Sequence, residues 1–264
     1  MPELPDVEAF RQYLYSTSLH KTIAGVEARD DMVLLGDLTG SDLREALVGG
    51  SLVDTHRHGK WLFADVQPGR WLCLHFGMTG HLVYFKHLAD DPEHDRMLIS
   101  FKNGFHLAYD CQRRLGRISL AGSVDEFVAA QDLGPDAARV DRQGFQLVVR
   151  GRDAMLKSAL LDQSMLAGIG NILADEIDFQ VGLQPRTTLG NLDDSGVREL
   201  YDAMKLVVEV TTEARTAGGE IPEDWLMGNR EEGGECPRCD GVIERIAVAS
   251  RSTYFCPQCQ VFPD

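Results

Sequence analysis

The sequence has little that would hold it in a membrane or spread it along a polyanion. No apolar run approaches the roughly 20 residues that a membrane helix needs. The opening Met1-Pro2-Glu3-Leu4-Pro5-Asp6 is charged where a secretory leader would be apolar, so a cytoplasmic location is expected. Basic residues are outnumbered, 26 Lys and Arg against 41 Asp and Glu, for a formal net charge of −15. That excludes a protein that coats nucleic acid by bulk charge, and any such contact must come from a local basic groove. Repeats and low-complexity tracts are missing, which excludes solenoids and arrays. A disulfide framework is missing too. Of the six cysteines, four fall in two Cys-x-x-Cys pairs near the C-terminus, and Cys73 and Cys111 sit in apolar, strand-like runs as expected buried thiols.

What is present suits a globular chain with room for two cores, 264 residues at 44% hydrophobic. Leu4, Val7, Phe10 and Leu14 recur at three and four residues and predict an amphipathic helix over 5–17, with Pro5, Asp6 and Glu8 suited to its first turns. Short β-branched and aromatic runs follow at 23–28, 51–56, 61–66, 71–76, 81–85, 97–101, 106–109 and 117–120, with a short helix at 42–48 among them. Pro68-Gly69 and Asn103-Gly104 mark hairpin turns. The pattern predicts an antiparallel β-sandwich. Leu133-Gly134-Pro135-Asp136 breaks it, and helical periods follow at 145–150, 154–162, 171–181 and 193–217, with Asp193 as N-cap and Gly218-Gly219 as stop. The fold class expected is α+β, divided into a β-rich domain at 1–133, a helical domain at 134–234 and a metal-bearing hairpin at 235–264.

The most specific motif is Cys236-Pro-Arg-Cys239 and Cys256-Pro-Gln-Cys259, separated by 16 residues. Two such knuckles supply four thiolates to one tetrahedral Zn²⁺ and leave no position for water, so the ion is structural. In the helical region, Gly168-Ile169-Gly170-Asn171 permits a tight turn that opens a helix, and the exposed N–H groups there suit an anion such as phosphate, with a plain capped helix–turn–helix as the other reading of this stretch. At the N-terminus, removal of Met1 would leave Pro2 with a free secondary amine. Such an amine titrates near neutral pH and can attack a carbonyl carbon to form an iminium, with Glu3 alongside as acid, base or charge partner.

With these residues in place, the chain resembles the formamidopyrimidine-DNA glycosylase / endonuclease VIII family along essentially its whole length. The resemblance is carried by Pro2-Glu3-Leu4-Pro5, by His75-Phe-Gly-Met-Thr-Gly80, by Gly168-Ile-Gly-Asn171 in a helix–two-turn–helix, and by the zinc hairpin Arg251-Ser-Thr-Tyr-Phe-Cys256. It implies a bifunctional DNA glycosylase and abasic-site lyase of base-excision repair, monomeric and without a membrane partner. Its substrate would be double-stranded DNA containing a damaged base or abasic site. On that resemblance Pro2 is the Schiff-base nucleophile and Glu3 its proton-handling partner. Lys60 assists β-elimination, and Arg251 handles the second elimination and grips a phosphate. Asn171 binds phosphate, His94 and Arg152 make further DNA contacts, and Met78, Arg113 and Leu115 fill the void left by a flipped nucleotide. Leu115 stands where a Phe is common. The segment between Gly219 and Cys236 is short for a closing loop, which points to ring-opened purines or oxidised pyrimidines rather than oxidised guanine. Two other readings stay open from sequence: a catalytically impaired member that binds damaged or abasic DNA, and a zinc-containing adaptor for protein or RNA.

Overall fold

The computed structural model describes residues 1–263. Two compact units emerge. Met1–Pro2 and Asp6–Gln131 form the first, and Glu3–Pro5 join the chain from Asp132 onward in the second.

The first unit is a pair of antiparallel sheets. Helix α1 (Leu4–Ser18) places Val7 and Leu14 in its core, the face that the three-and-four spacing forecast. Strand β1 (Ile23–Ala28) precedes α2 (Gly40–Leu47), which starts on a reciprocal capping box between Thr39 and Asp42 and buries Leu43 and Leu47. The remaining strands are β2 (Ser51–His58), β3 (Trp61–Gln67), β4 (Arg70–His75), β5 (His81–Phe85), β6 (Asp95–Phe101), β7 (His106–Asp110) and β8 (Arg117–Ala121). One sheet runs β1-β6-β7-β5 and the other β2-β3-β4-β8, so the expected sandwich is found. Both hairpin turns fall where the sequence put them, with Gly69 and Gly104 at positive φ.

One element was not foreseen, α3 (Val124–Ala130). Its Ser123 cap accepts from the Glu126 N–H, and Phe127 packs edge-on against Trp61 at 4.7 Å and Phe63 at 5.4 Å between ring centroids. A seven-residue helix has no stability of its own, so these aromatic contacts carry it.

The second unit is helical: α4 (Arg142–Val149), α5 (Leu156–Leu161), α6 (Asn171–Val181) and α7 (Asp194–Ala217). The two long helices stop at Gly182 and Gly218, both left-handed, and Asp193 caps α7 as its sequence position required. Leu4, Leu166, Ile169, Ile177, Leu200 and Met204 share its core. The tail is the hairpin of β9 (Glu244–Val248) and β10 (Arg251–Phe255), paired from Arg251–Val248 to Phe255–Glu244. Among the described residues no helix is long and apolar enough to cross a membrane.

Candidate active site and zinc centre

The turn before α6 is shaped around the chain's first residues. Gln163 staples it, accepting from the Gly168 N–H at 3.0 Å and donating to the carbonyls of Leu161 and Ile169. Gly168 is at φ +119°, and a Cβ there would come within 2.6 Å of Leu4 Cδ1. At Gly170 a Cβ would overlap the Glu3 carboxyl carbon. The two glycines therefore make the space that Leu4 and Glu3 fill.

Glu3 is only 4% exposed, and its carboxylate caps α6. It accepts from Gly170 N at 3.2 Å, Ile172 N at 2.9 Å and Leu173 N at 3.0 Å. The helix N-terminus does hold an anion, but the sequence expectation of a phosphate on these amides is corrected: the chain's own carboxylate takes them. A charge at the positive end of the helix dipole and three otherwise orphaned N–H groups stabilise each other. Pro2 is covalently next to the residue whose carboxylate is seated here.

In the first unit, Lys60 sits in the two-residue turn from His58 to Trp61. Arg57 donates to the Gly59 carbonyl at 3.0 Å and pairs with Glu8 at 3.3 Å, while Glu8 also binds Arg11. Burial pushes the Glu8 carboxyl up, but the Arg11 hydrogen bond and the charges of Arg11 and Arg57 outweigh it and hold it below its usual range. On β4, where His75 pairs with Trp61, burial, with the nearby charges of Lys60 and Arg117, pushes the His75 imidazole down to about 4. It is neutral at physiological pH, and its Nδ1 accepts from the Gly77 N–H at 3.3 Å.

The structure brings the expected void-filling residues together. The Gly77 backbone lies against Leu115 so closely that a Cβ would overlap the Leu115 carbonyl carbon. The Arg113 N–H donates to Thr79 Oγ1 at 3.1 Å. Met78 (39% exposed) and Leu115 (45% exposed) thus project from two loops packed as one piece, and Arg113, two residues before Leu115, is exposed as well. Arg114, at φ +55°, ties this piece to Asp30 through a 2.8 Å ion pair. His94 borders it, since its N–H donates to Asp110 and its carbonyl accepts from Cys111. Arg152 behaves differently. It is an exposed residue past α4, 3.6 Å from Asp162, and none of its hydrogen bonds among the described residues joins Asn171 or Arg251.

In the second unit, Asn171 Nδ2 donates to the Ser252 carbonyl at 2.9 Å, next to Arg251, which is exposed at the start of β10. Sequence reasoning did not foresee what lies beneath. Lys157 and Asp175 are both fully buried and paired with each other, and Arg230 reaches Asp175 at 2.6 Å. A lysine inside the apolar run Leu156–Leu161 was the available signal, because an unpaired buried ammonium is too costly to persist. Glu176, an acidic residue just past the two-turn motif, also faces inward. It accepts from Met227 N at 2.6 Å and from Gln180, anchoring the segment that leads to the hairpin.

The four cysteines converge. Their Sγ atoms lie within 4.8 Å of one another, with separations of 3.7 Å for Cys236–Cys259, 3.6 Å for Cys239–Cys256 and 3.3 Å for Cys239–Cys259. A tetrahedral ion with Zn–S of about 2.3 Å would place its sulfurs about 3.8 Å apart, so the donors fit one zinc ion. The N–H groups of Arg238 and Gly241 point at Cys236 and Cys239 Sγ, supporting thiolate charge. The site is that of one structural zinc, and it folds the hairpin that bears Arg251.

Three family models cover the chain: the formamidopyrimidine-DNA glycosylase N-terminal domain over residues 1–118, its H2TH domain over 133–221, and the zinc finger found in FPG and IleRS over 233–261. Curated formamidopyrimidine-DNA glycosylases of Chloroflexus aggregans and Solibacter usitatus are each 33% identical, covering 99% and 98% of this chain and 99% of their own. Among solved structures, Lactococcus lactis Fpg (MutM) with N7-benzyl-Fapy-dG DNA aligns with a TM-score of 0.86 at 28% identity. The same enzyme bound to abasic-site DNA aligns at 0.88 and 26%, and each match covers 98% of this chain and 99% of the other. With the glycine-shaped seat for Glu3 and the four-thiolate hairpin, these matches make the chain a member of the formamidopyrimidine-DNA glycosylase family, base-excision-repair glycosylases.

Proposed function

We propose that the chain acts in the cytoplasm, as a monomer, on duplex DNA carrying a damaged base or an abasic site, with Pro2 as nucleophile. A protein amine cannot reach C1′ inside a stacked duplex, so the nucleotide must leave the helix at a cost of a few kcal/mol. Met78, Arg113 and Leu115, held in one packed piece, fill the vacated space. With Met1 removed, the Pro2 nitrogen lone pair forms a bond to C1′ as the glycosidic bond breaks and the base departs with a proton. Sugar ring opening gives the iminium. Loss of a C2′ proton expels the 3′ phosphate, with Lys60 assisting. A second elimination expels the 5′ phosphate, with Arg251 at that group, and water then frees the enzyme. Glu3 handles protons beside Pro2, while Asn171, His94 and Arg152 make phosphate or strand contacts. The functional division follows 1–133 for catalysis, 134–234 for the two-turn motif and 235–264 for the zinc hairpin.

The observation that supports this reading is the Glu3 carboxylate seated on three α6 amides, in the residue covalently next to Pro2. A flexible N-terminus would lose much of the advantage of a positioned nucleophile. The test is borohydride trapping on an abasic-site duplex. Covalent adduct is expected with the mature protein, and Pro2→Gly should lose most of it. Undiminished trapping in that variant would assign the nucleophile elsewhere, to an amine such as Lys60.

A further inference from the structure

Two-stranded hairpins are marginal in water, and zinc at one end fixes only that end. Along the strand, the edge of β10 that faces α6 is read through its backbone. Ser252 O accepts from Asn171 Nδ2 at 2.9 Å and from Lys157 Nζ at 3.4 Å. Tyr254 N donates to Asp175 Oδ2 at 3.4 Å. These two groups, two residues apart, point to the same side of the strand. Asp175 lies four residues past Asn171, on the same face of α6, and is fully buried. Its Oδ1 pairs with Lys157, and its Oδ2 accepts from Arg230 Nε at 3.1 Å and Nη2 at 2.6 Å. The Arg230 guanidinium also lies 5.0 Å above the Tyr254 ring. One carboxylate thus gathers α5, α6, the segment before the hairpin and the strand itself.

Apolar residues of the same volume would hold these elements together at least as well. Directed bonds to a strand edge add register, because a one-residue slip of β10 would turn the Tyr254 N–H away from Asp175. We propose that Asp175 is a positioning residue for the second elimination. With Lys157 and Arg230, it sets the place of Arg251, the residue just before Ser252, relative to the α6 terminus that seats Glu3. The proposal rests on the role given above to Arg251. Asp175 touches no reacting atom.

The experiment is a single-turnover time course of the zinc-loaded protein on an abasic-site duplex, resolving adduct, β-product and δ-product. Asp175→Asn is expected to form borohydride-trapped adduct within about twofold of the parent rate. Its ratio of δ- to β-product should drop tenfold or more, with one zinc per chain retained. Should Asp175→Asn fold poorly, Asp175→Asn with Lys157→Met removes both charges of the buried pair. That double variant should regain thermal stability but not the product ratio. Recovery of both together, or a parallel fall in adduct and δ-product, would make the network a purely structural one and overturn the proposal. Arg251→Ala is the control that separates the two readings. If it leaves the product ratio unchanged, the role of Arg251 fails and the proposal falls with it. If it lowers the ratio while Asp175→Asn does not, the fault lies with Asp175 alone.

Discussion

Replacing Glu3 with Gln should unfold the second unit early, independently of any loss of chemistry. Gln keeps the length and one acceptor oxygen, yet its amide group must face an N–H that a carboxylate oxygen now receives. Glu3 Oε2 serves Gly170 and Leu173 and Oε1 serves Ile172, so one or two buried donors are left unpaired. Each orphaned donor costs about 1–3 kcal/mol. Loss of the charge from the helix terminus adds about 1 kcal/mol. For a single orphaned donor the sum is about 3 kcal/mol, and at roughly 2–4 °C per kcal/mol for domains somewhat larger than this unit, the melting temperature should fall by about 10 °C. Calorimetry of the parent and of Glu3→Gln measures this, and amide exchange at Gly170, Ile172 and Leu173 locates it. Glu3→Asp, charged but one methylene short, should fall in between. A Glu3→Gln protein that melts within 2 °C of the parent, with unchanged exchange at the three amides, would refute the cap and leave Glu3 a purely chemical role.

Cys256→Ser should bring zinc below one per chain by elemental analysis and weaken lesion binding, because Arg251 loses its scaffold while the β-sandwich stays folded. Full lesion affinity in zinc-free protein would contradict this. Burial and the Asp175 charge push the Asp178 carboxyl well above its usual range, against the pull of Lys157, and neither of its oxygens has a hydrogen-bond partner. The native state therefore keeps a proton that the unfolded chain releases near pH 4. The stability this gives is full below that pH and is lost as pH rises toward the folded pKa, at up to about 1.4 kcal/mol per unit. Asp178→Asn should accordingly gain melting temperature relative to the parent between pH 4.5 and 7.5, and a constant difference would show that Asp178 is ionised in the fold. Trp225 and Leu226 are buried and Arg230 is tied to Asp175, which leaves little of the 220–234 segment to close over a base. Single-turnover excision of ring-opened purines or oxidised pyrimidines should then outpace that of oxidised guanine. A tenfold advantage for oxidised guanine, about 1.4 kcal/mol in barrier, would reverse that reading.

The parts legible in the sequence were those set by local chemistry. Alternating β-branched runs, the turn pairs Pro68-Gly69 and Asn103-Gly104, the Asp193 cap and the cysteine spacing each encode their structure within a few residues. The region 163–176 was half legible. Glycines before a helix announce an anion, but not that it arrives from 167 residues away. Helix α3 was invisible because only Phe127 gives it a docking face, although Ser123 and Glu126 spelled its start. Lys157 stood in an apolar run and so signalled a buried partner, but nothing in a linear sequence tells that Asp175 and Arg230 are the charges that join it in a dry interior.

The Glu3 seat also orders events in time. A ribosome adding roughly 5–20 residues per second takes about 10–30 s to travel from Glu3 to the amides of α6. Throughout that interval the capping partners have not yet been synthesised, and the first residues of the chain stay within reach of other proteins. Met1 itself is exposed in the folded chain, so an aminopeptidase can reach it both before and after the segment docks. The seat is thus completed only after the first residues have stood without their partners, an order imposed by the long separation along the chain.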